Sequence, residues 1–140
     1  MCEQVLFGMV DLGILRCDED GKVWRDFDWD SRRREYVRCT PRRADWRGRD
    51  GYHVVRIRVK GVRHFAMAHR LVYYQFHGEP PPGAEVNHKN SLRGSNYPEN
   101  LDARSAKENI AYAMEEGWLT RDENGRFRRR EVIGGLAVIV

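Results

Sequence analysis

Apolar and polar positions along the chain keep two different periods, and the switches between them mark out the elements. In the middle, Tyr52, Val54, Arg56, Arg58 and Lys60 fall on one side and His53, Val55, Ile57 and Val59 on the other, the period of a strand with one buried face. Lys60-Gly61 closes a hairpin onto Val62 to Ala68, and Arg63 continues the basic face. Upstream, Val5 to Val10 and Leu12 to Cys17 are apolar enough for strands, and Asp18-Glu19-Asp20-Gly21 is a turn leading into Val23-Trp24. His69 to His77 reads as a helix that buries Leu71, Val72 and Phe76 and stops at Gly78.

Beyond Pro80 to Gly83, which excludes helix, Glu85 to His88 reads as a short extended segment. Asn90, Ser91, Gly94, Ser95, Asn96 and Pro98 then crowd turn formers into one loop. Leu101 to Arg104 returns as a second strand. Ser105 with Glu108 three residues later forms a capping box, so a helix starts there. Ala106, Ile110, Ala113 and Met114 share one face of it until Gly117. Asn109 lies in the first turn, with its side chain leaning back towards the helix start. The tail offers Trp118-Leu119, the turn Asp122 to Gly125, the basic run Arg126 to Arg130, and an apolar end from Val132 to Val140. That end is strand-like and pairs with the sheet or with a second subunit.

A chain of 140 residues predicts one compact domain with a small appendage, and at this size it buries roughly 70% of its unfolded surface. No apolar run approaches the ~20 residues of a membrane span, and the N-terminus lacks a basic-then-apolar leader, so no membrane association is expected and a cytoplasmic location, in a bacterial or phage-infected cell, is. Cys2, Cys17 and Cys39 include no CxxC pair, so we expect reduced thiols and no structural zinc.

Charge is what changes this picture. From Met1 to Ser31 there are eight Asp and Glu against three Lys and Arg, whereas from Arg32 to Arg70 thirteen Lys and Arg stand against three Asp and Glu. The acidic hairpin is expected to pack against the core or to face solvent away from phosphate, with Trp24 and Trp29 inside or at an interface. The basic segment points to a phosphate-facing surface. A two-stranded ribbon bearing Arg56, Arg58, Lys60 and Arg63 fits a major groove, where arginine pairs with guanine edges or with phosphates. Double-stranded DNA is the expected partner, and binding should weaken steeply with salt.

Asn87-His88, Pro98-Glu99-Asn100-Leu101 and Ser105 to Asn109, taken with Ala68-His69-Arg70-Leu71-Val72 upstream, resemble the HNH nuclease motif of the ββα-metal superfamily, in its homing- and phage-type branch. The resemblance implies an α+β fold: an N-terminal antiparallel β-sheet, followed by a ββα-metal core. We therefore divide the chain into a β-rich DNA-docking region at 1–68, a nuclease core at 69–117 and an extension at 118–140. It further implies a metal-dependent endonuclease that hydrolyses phosphodiester bonds, with His88 as general base, since an imidazole titrates near neutrality. Asn87 and Asn109 would hold one Mg2+ or Mn2+ per site, and Asn100 would brace the loop and orient His88 by hydrogen bonding. Arg70 could reach the scissile strand, while His69 reads as structural.

One departure from the motif bears on the chemistry. The position before the histidine is often aspartate, and here it is Asn87. Both implied ligands are then neutral amides, whereas hard cations prefer carboxylate oxygens. Metal should bind mainly with DNA present. The rival reading is a DNA-binding protein that keeps the fold without cleavage, and a nuclease directed at RNA is a third. A homodimer would cut both strands where a monomer nicks one.

Overall fold

The structure is a computed structural model that describes residues 3–117, 119–133 and 136–139. It divides into two compact units, one built from the residues up to Pro82 together with Val86–Ala103, the other from Gly83–Glu85 together with the residues from Arg104 onward.

The first unit opens with a helix, α1 (Glu3–Asp11), where the apolar run from Val5 to Val10 had suggested a strand. Periodicity alone does not settle so short an apolar run, and its partner does. In α2 (Ala68–His77), Tyr74 stacks on Phe7 with ring centroids 4.2 Å apart. Its hydroxyl donates to Asp11 Oδ2 at 2.7 Å, and Arg70 grips the Glu3 carboxylate through bonds of 2.8 and 3.0 Å. Most helical stability comes from such packing of one face rather than from propensity. Leu71 and Val72 are buried as expected, but Phe76 at the far end of α2 is 41% exposed.

The N-terminal β region is two antiparallel sheets rather than one. The first orders β1 (Leu15–Cys17), β2 (Val23–Asp30) and β3 (Glu35–Arg43); the second orders β4 (Asp45–Arg47), β5 (His53–Val59) and β6 (Val62–Met67). Asp45 joins them: it accepts the Val23 N–H at 2.9 Å, two bonds from Arg43 at 2.7 and 2.9 Å, and His53 Nδ1–H at 2.8 Å. Burial would raise its pKa, but those donors outweigh burial and hold it below the ordinary aspartate value. Val59 faces Val62 across a two-residue turn in which Lys60 and Gly61 both have positive φ, of 50° and 77°, the geometry that matches strand twist. Leu6, Leu15, Val23, Val55, Leu71 and Val72 form the centre of the core. Cys17 lies among them, and burial pushes its thiol up to about 12. Trp24 is half-buried, but Trp29, expected inside or at an interface, is 52% exposed near the end of the β2–β3 hairpin. Two further strands, β7 (Glu85–His88) and β8 (Leu101–Arg104), pair with each other.

The second unit carries α3 (Ala106–Glu115). Ser105 Oγ accepts the Glu108 N–H at 3.1 Å and donates to Glu108 Oε1 at 3.1 Å, so the expected capping box is present. No residue of α3 is buried, and the anticipated apolar stripe of Ile110 and Met114 stays open. Three antiparallel strands follow, β9 (Leu119–Arg121), β10 (Phe127–Ile133) and β11 (Leu136–Ile139), with β10 central. Of the two partners foreseen for the strand-like tail, it pairs with its own sheet: Leu136 faces Ile133. Trp118, Gly134, Gly135 and Val140 lie outside the described residues.

Candidate active site

β7 delivers His88. Val86 is buried in the core, so the strand is anchored one residue before Asn87 and ends at the imidazole. The loop that follows is closed by its own backbone, with Lys89 N–H donating to Asn100 O at 2.7 Å and Ser91 N–H to His88 O at 3.0 Å. Asn100, buried, fastens it from within: its Oδ1 accepts the Asn90 N–H at 3.0 Å, and its Nδ2 donates to Asn90 Oδ1 at 3.0 Å and to Ser95 O at 2.7 Å. Asn100 thus ties Asn90 to Ser95 within the loop, and the imidazole is bonded by another residue.

That residue is Asn96, buried, whose Oδ1 lies 2.7 Å from His88 Nε2. An amide oxygen only accepts, so Nε2 carries the hydrogen and Nδ1 keeps its lone pair. In the sequence Asn96 reads as one more turn former, because nothing in a loop already rich in asparagine and serine sets it apart. Its backbone is pressed in turn by the acidic β1–β2 turn. A Cβ on Gly21 would fall 2.2 Å from the Asn96 carbonyl carbon, and Gly21 has φ of +80°, so only glycine fits there. The acidic turn, expected against the core or facing solvent, thus packs on the loop that positions the histidine.

The ring of His88 lies 4.8 Å, centroid to centroid, from that of His69 and 6.1 Å from that of Tyr52. Burial first, and then the charge of Arg93, hold the His88 pKa below 6.5, against the opposing pull of the bond to Asn96. His69 is buried more deeply, with a pKa lowered to about 3 by burial, then by the charges of His88 and Arg70, and its Nδ1 has no hydrogen-bond partner among the described residues. Tyr52, Asn87, His88, Ser91 and Arg93 line a cleft of about 160 Å³. Asn87 is partly buried in its wall. Among the described residues no group of three or more His, Cys, Asp or Glu gathers as a cation site; the oxygen that Asn87 offers is a neutral carboxamide, a weak ligand for a hard cation.

Asn109, in the second unit, donates from Nδ2 to Glu85 Oε2 at 2.6 Å, a carboxylate neighbour that the sequence did not signal. Arg56, Arg58, Lys60 and Arg63 are exposed on the β5–β6 hairpin. The Arg56 guanidinium lies 5.0 Å from the centre of the Trp46 ring, and Arg58 stands directly opposite Arg63. Arg70, read as a residue that could reach DNA, is instead engaged by Glu3, which holds α1 on α2.

Residues 66–111 match the HNH endonuclease family. No curated protein matches the chain. Among solved structures it is similar to the HNH homing endonuclease I-HmuI, from a study of DNA binding and cleavage by that enzyme, with a TM-score of 0.55 and 24% identity over 77% of this chain and 56% of the other. Identity at that level speaks for a shared fold, and the chain spans little more than half the length of that protein. The family match covers α2, β7, the loop, β8 and the start of α3, the elements that carry Asn87, His88, Asn100 and Asn109, so the middle of this chain is similar to the HNH endonuclease family and lies in an α+β fold.

Proposed function

We propose that the chain is a divalent-metal-dependent endonuclease that hydrolyses phosphodiester bonds in duplex DNA, with His88 as general base. The observation that carries this reading is the His88–Asn96 bond: it holds the imidazole by one nitrogen and leaves the other as a base. A water activated by Nδ1 attacks phosphorus in line with the 3′ oxygen, leaving 5′-phosphate and 3′-hydroxyl ends. Asn87 would contribute one oxygen to a Mg2+ or Mn2+, with phosphate oxygens of the substrate completing the set; Asn109 as the second ligand rests on the motif. Such an ion, when bound, neutralises charge on the phosphorane-like transition state and assists departure of the 3′ oxygen. Arg56, Arg58, Lys60 and Arg63 would lie along the duplex backbone. Like charges directly opposite on a ribbon repel, so the Arg58–Arg63 pair favours an anion as the ligand of that face.

Supercoiled plasmid with Mg2+ or Mn2+ tests the reading. Relaxation or linearisation by the wild type, lost in His88→Ala, is the expected result. The neutral Asn87 favours a second reading, a DNA-binding protein without cleavage. Retardation of plasmid by both proteins with no change in its topology would select that one.

A further inference from the structure

A second cleft adjoins the one that holds His88, and the two share Ser91 and Arg93. It has two cationic edges. Arg47, from β4, and Arg93, from the loop after β7, both come within 4 Å of where a Cβ on Gly51 would stand, Arg93 through Cβ and Cδ at 3.8 Å and Arg47 through a guanidinium nitrogen at 3.9 Å. Gly51 itself has φ of +86°, the left-handed region that favours glycine.

Neither arginine makes an ion pair among the described residues. Arg93 donates from Nη1 to the Asp50 backbone carbonyl at 2.8 Å, and its guanidinium lies 4.8 Å from the centre of the Tyr52 ring. The Asp50 carboxylate is directed to backbone, accepting the Tyr52 N–H at 3.1 Å. His53 forms a third wall. Its Nδ1–H is taken by the buried Asp45 at 2.8 Å, which fixes the ring, and its Nε2 lies 3.7 Å from the Cβ position of Gly94, across the same cleft. Two arginines lining one cleft beside a fixed imidazole, with no carboxylate among the described residues bound to either, suit a group with several anionic oxygens.

We propose that the cleft between Arg47 and Arg93, floored by Gly51 and walled by His53, seats a backbone phosphate of the nucleic acid next to the phosphate that is cut. The proposal rests on the nuclease reading and adds a subsite to it. Arg93, shared by both clefts, is then a positioning residue: it fixes the neighbouring phosphate and so the reach of the scissile one to His88.

The test compares the full chain with Arg47→Ala/Arg93→Ala and Arg47→Lys/Arg93→Lys on a defined DNA duplex, first by binding titrations across salt concentration and then by cleavage of duplexes carrying a single neutral methylphosphonate, moved stepwise along the cut strand. Losing a phosphate contact lowers the salt slope by about 0.9, so the alanine pair should lose between about 0.9 and 1.8, and the lysine pair should restore most of it. In the wild type, one methylphosphonate beside the cut site should slow cleavage roughly tenfold, the effect of losing a charge-assisted bond of about 1.4 kcal/mol. In the alanine pair that position should become indifferent. If the wild type neither binds nor cuts duplex DNA, the nuclease reading fails and this inference with it. If it binds and cuts, yet both variants keep its salt slope and its methylphosphonate profile, the nuclease reading stands and the phosphate seat is overturned. An unchanged salt slope joined to binding of free inorganic phosphate alone would overturn it as well.

Discussion

Asn96 holds His88 by one nitrogen, Oδ1 to Nε2 at 2.7 Å, and is itself buried. Removing the acceptor leaves the imidazole free to rotate and to exchange tautomers. Asn96→Ala should lower kcat roughly ten- to hundredfold, a fraction of what a general base supplies, with KM little changed. Asn96→Asp should instead stabilise the imidazolium and move the acidic limb of the pH profile upward. Equal losses in KM and kcat from Asn96→Ala would show that the residue shapes the loop and not the base.

Activity should rise with pH through a limb whose midpoint lies below 6.5. The working form of His88 is neutral, and burial together with Arg93 lowers its pKa from 6.5, so the base is already competent at weakly acidic pH. Arg93→Ala removes one of those two causes and should shift the limb towards 6.5. Initial rates across pH at saturating metal check both.

Gly21→Ala should cost more than its place in a surface turn suggests. The added Cβ would meet the Asn96 backbone at 2.2 Å with φ at +80°, and strain of this kind destabilises by more than about 1 kcal/mol. Gly13→Ala is the control: φ is +76° with nothing within 4 Å, so it carries the backbone cost without touching the loop. We expect both variants to lose Tm and only Gly21→Ala to lose cleavage as well.

His69 makes stability depend on pH. Its folded pKa of about 3 lies below its ordinary 6.5. The unfolded chain therefore takes up a proton first as pH falls, and the contribution present above 6.5 is lost on the way down towards 3. At pH 5 the loss is on the order of 2 kcal/mol. His69→Gln should flatten the fall in denaturation midpoint between pH 6.5 and 5; an unchanged slope would refute the assignment.

Asn87→Asp supplies the carboxylate that the motif often carries. The metal concentration needed for half-maximal cleavage should fall roughly tenfold, because cation affinity follows ligand charge. Calorimetric titration of the wild type with Mg2+ in the absence of DNA should show weak binding, and tight binding there would contradict a ligand set of carboxamides.

Much of this could be read in advance where residues act locally. The Lys60-Gly61 turn, the Ser105 cap and the strand ending at His88 depend on neighbours a few positions away, and all three are present. Where distant partners decide, the reading failed. Val5 to Val10 becomes helix because Tyr74 and Arg70, over sixty residues on, stack and pair with it. Asn96 rather than Asn100 is the companion of the imidazole, while the Asn100 amide is taken up by Asn90 and Ser95. Trp29 and Phe76 are large and apolar, yet exposed, since composition does not say which side of a ribbon or which end of a helix meets a neighbour.

Arg58 and Arg63 face each other on the β5–β6 ribbon, and that juxtaposition ties purification to function. A polyanion that bridges the two guanidinium groups removes a repulsion that the free protein must tolerate, so heparin or DNA should raise the melting temperature, and in dilute buffer the protein should leave the cell extract carrying nucleic acid fragments that only a high-salt wash strips away.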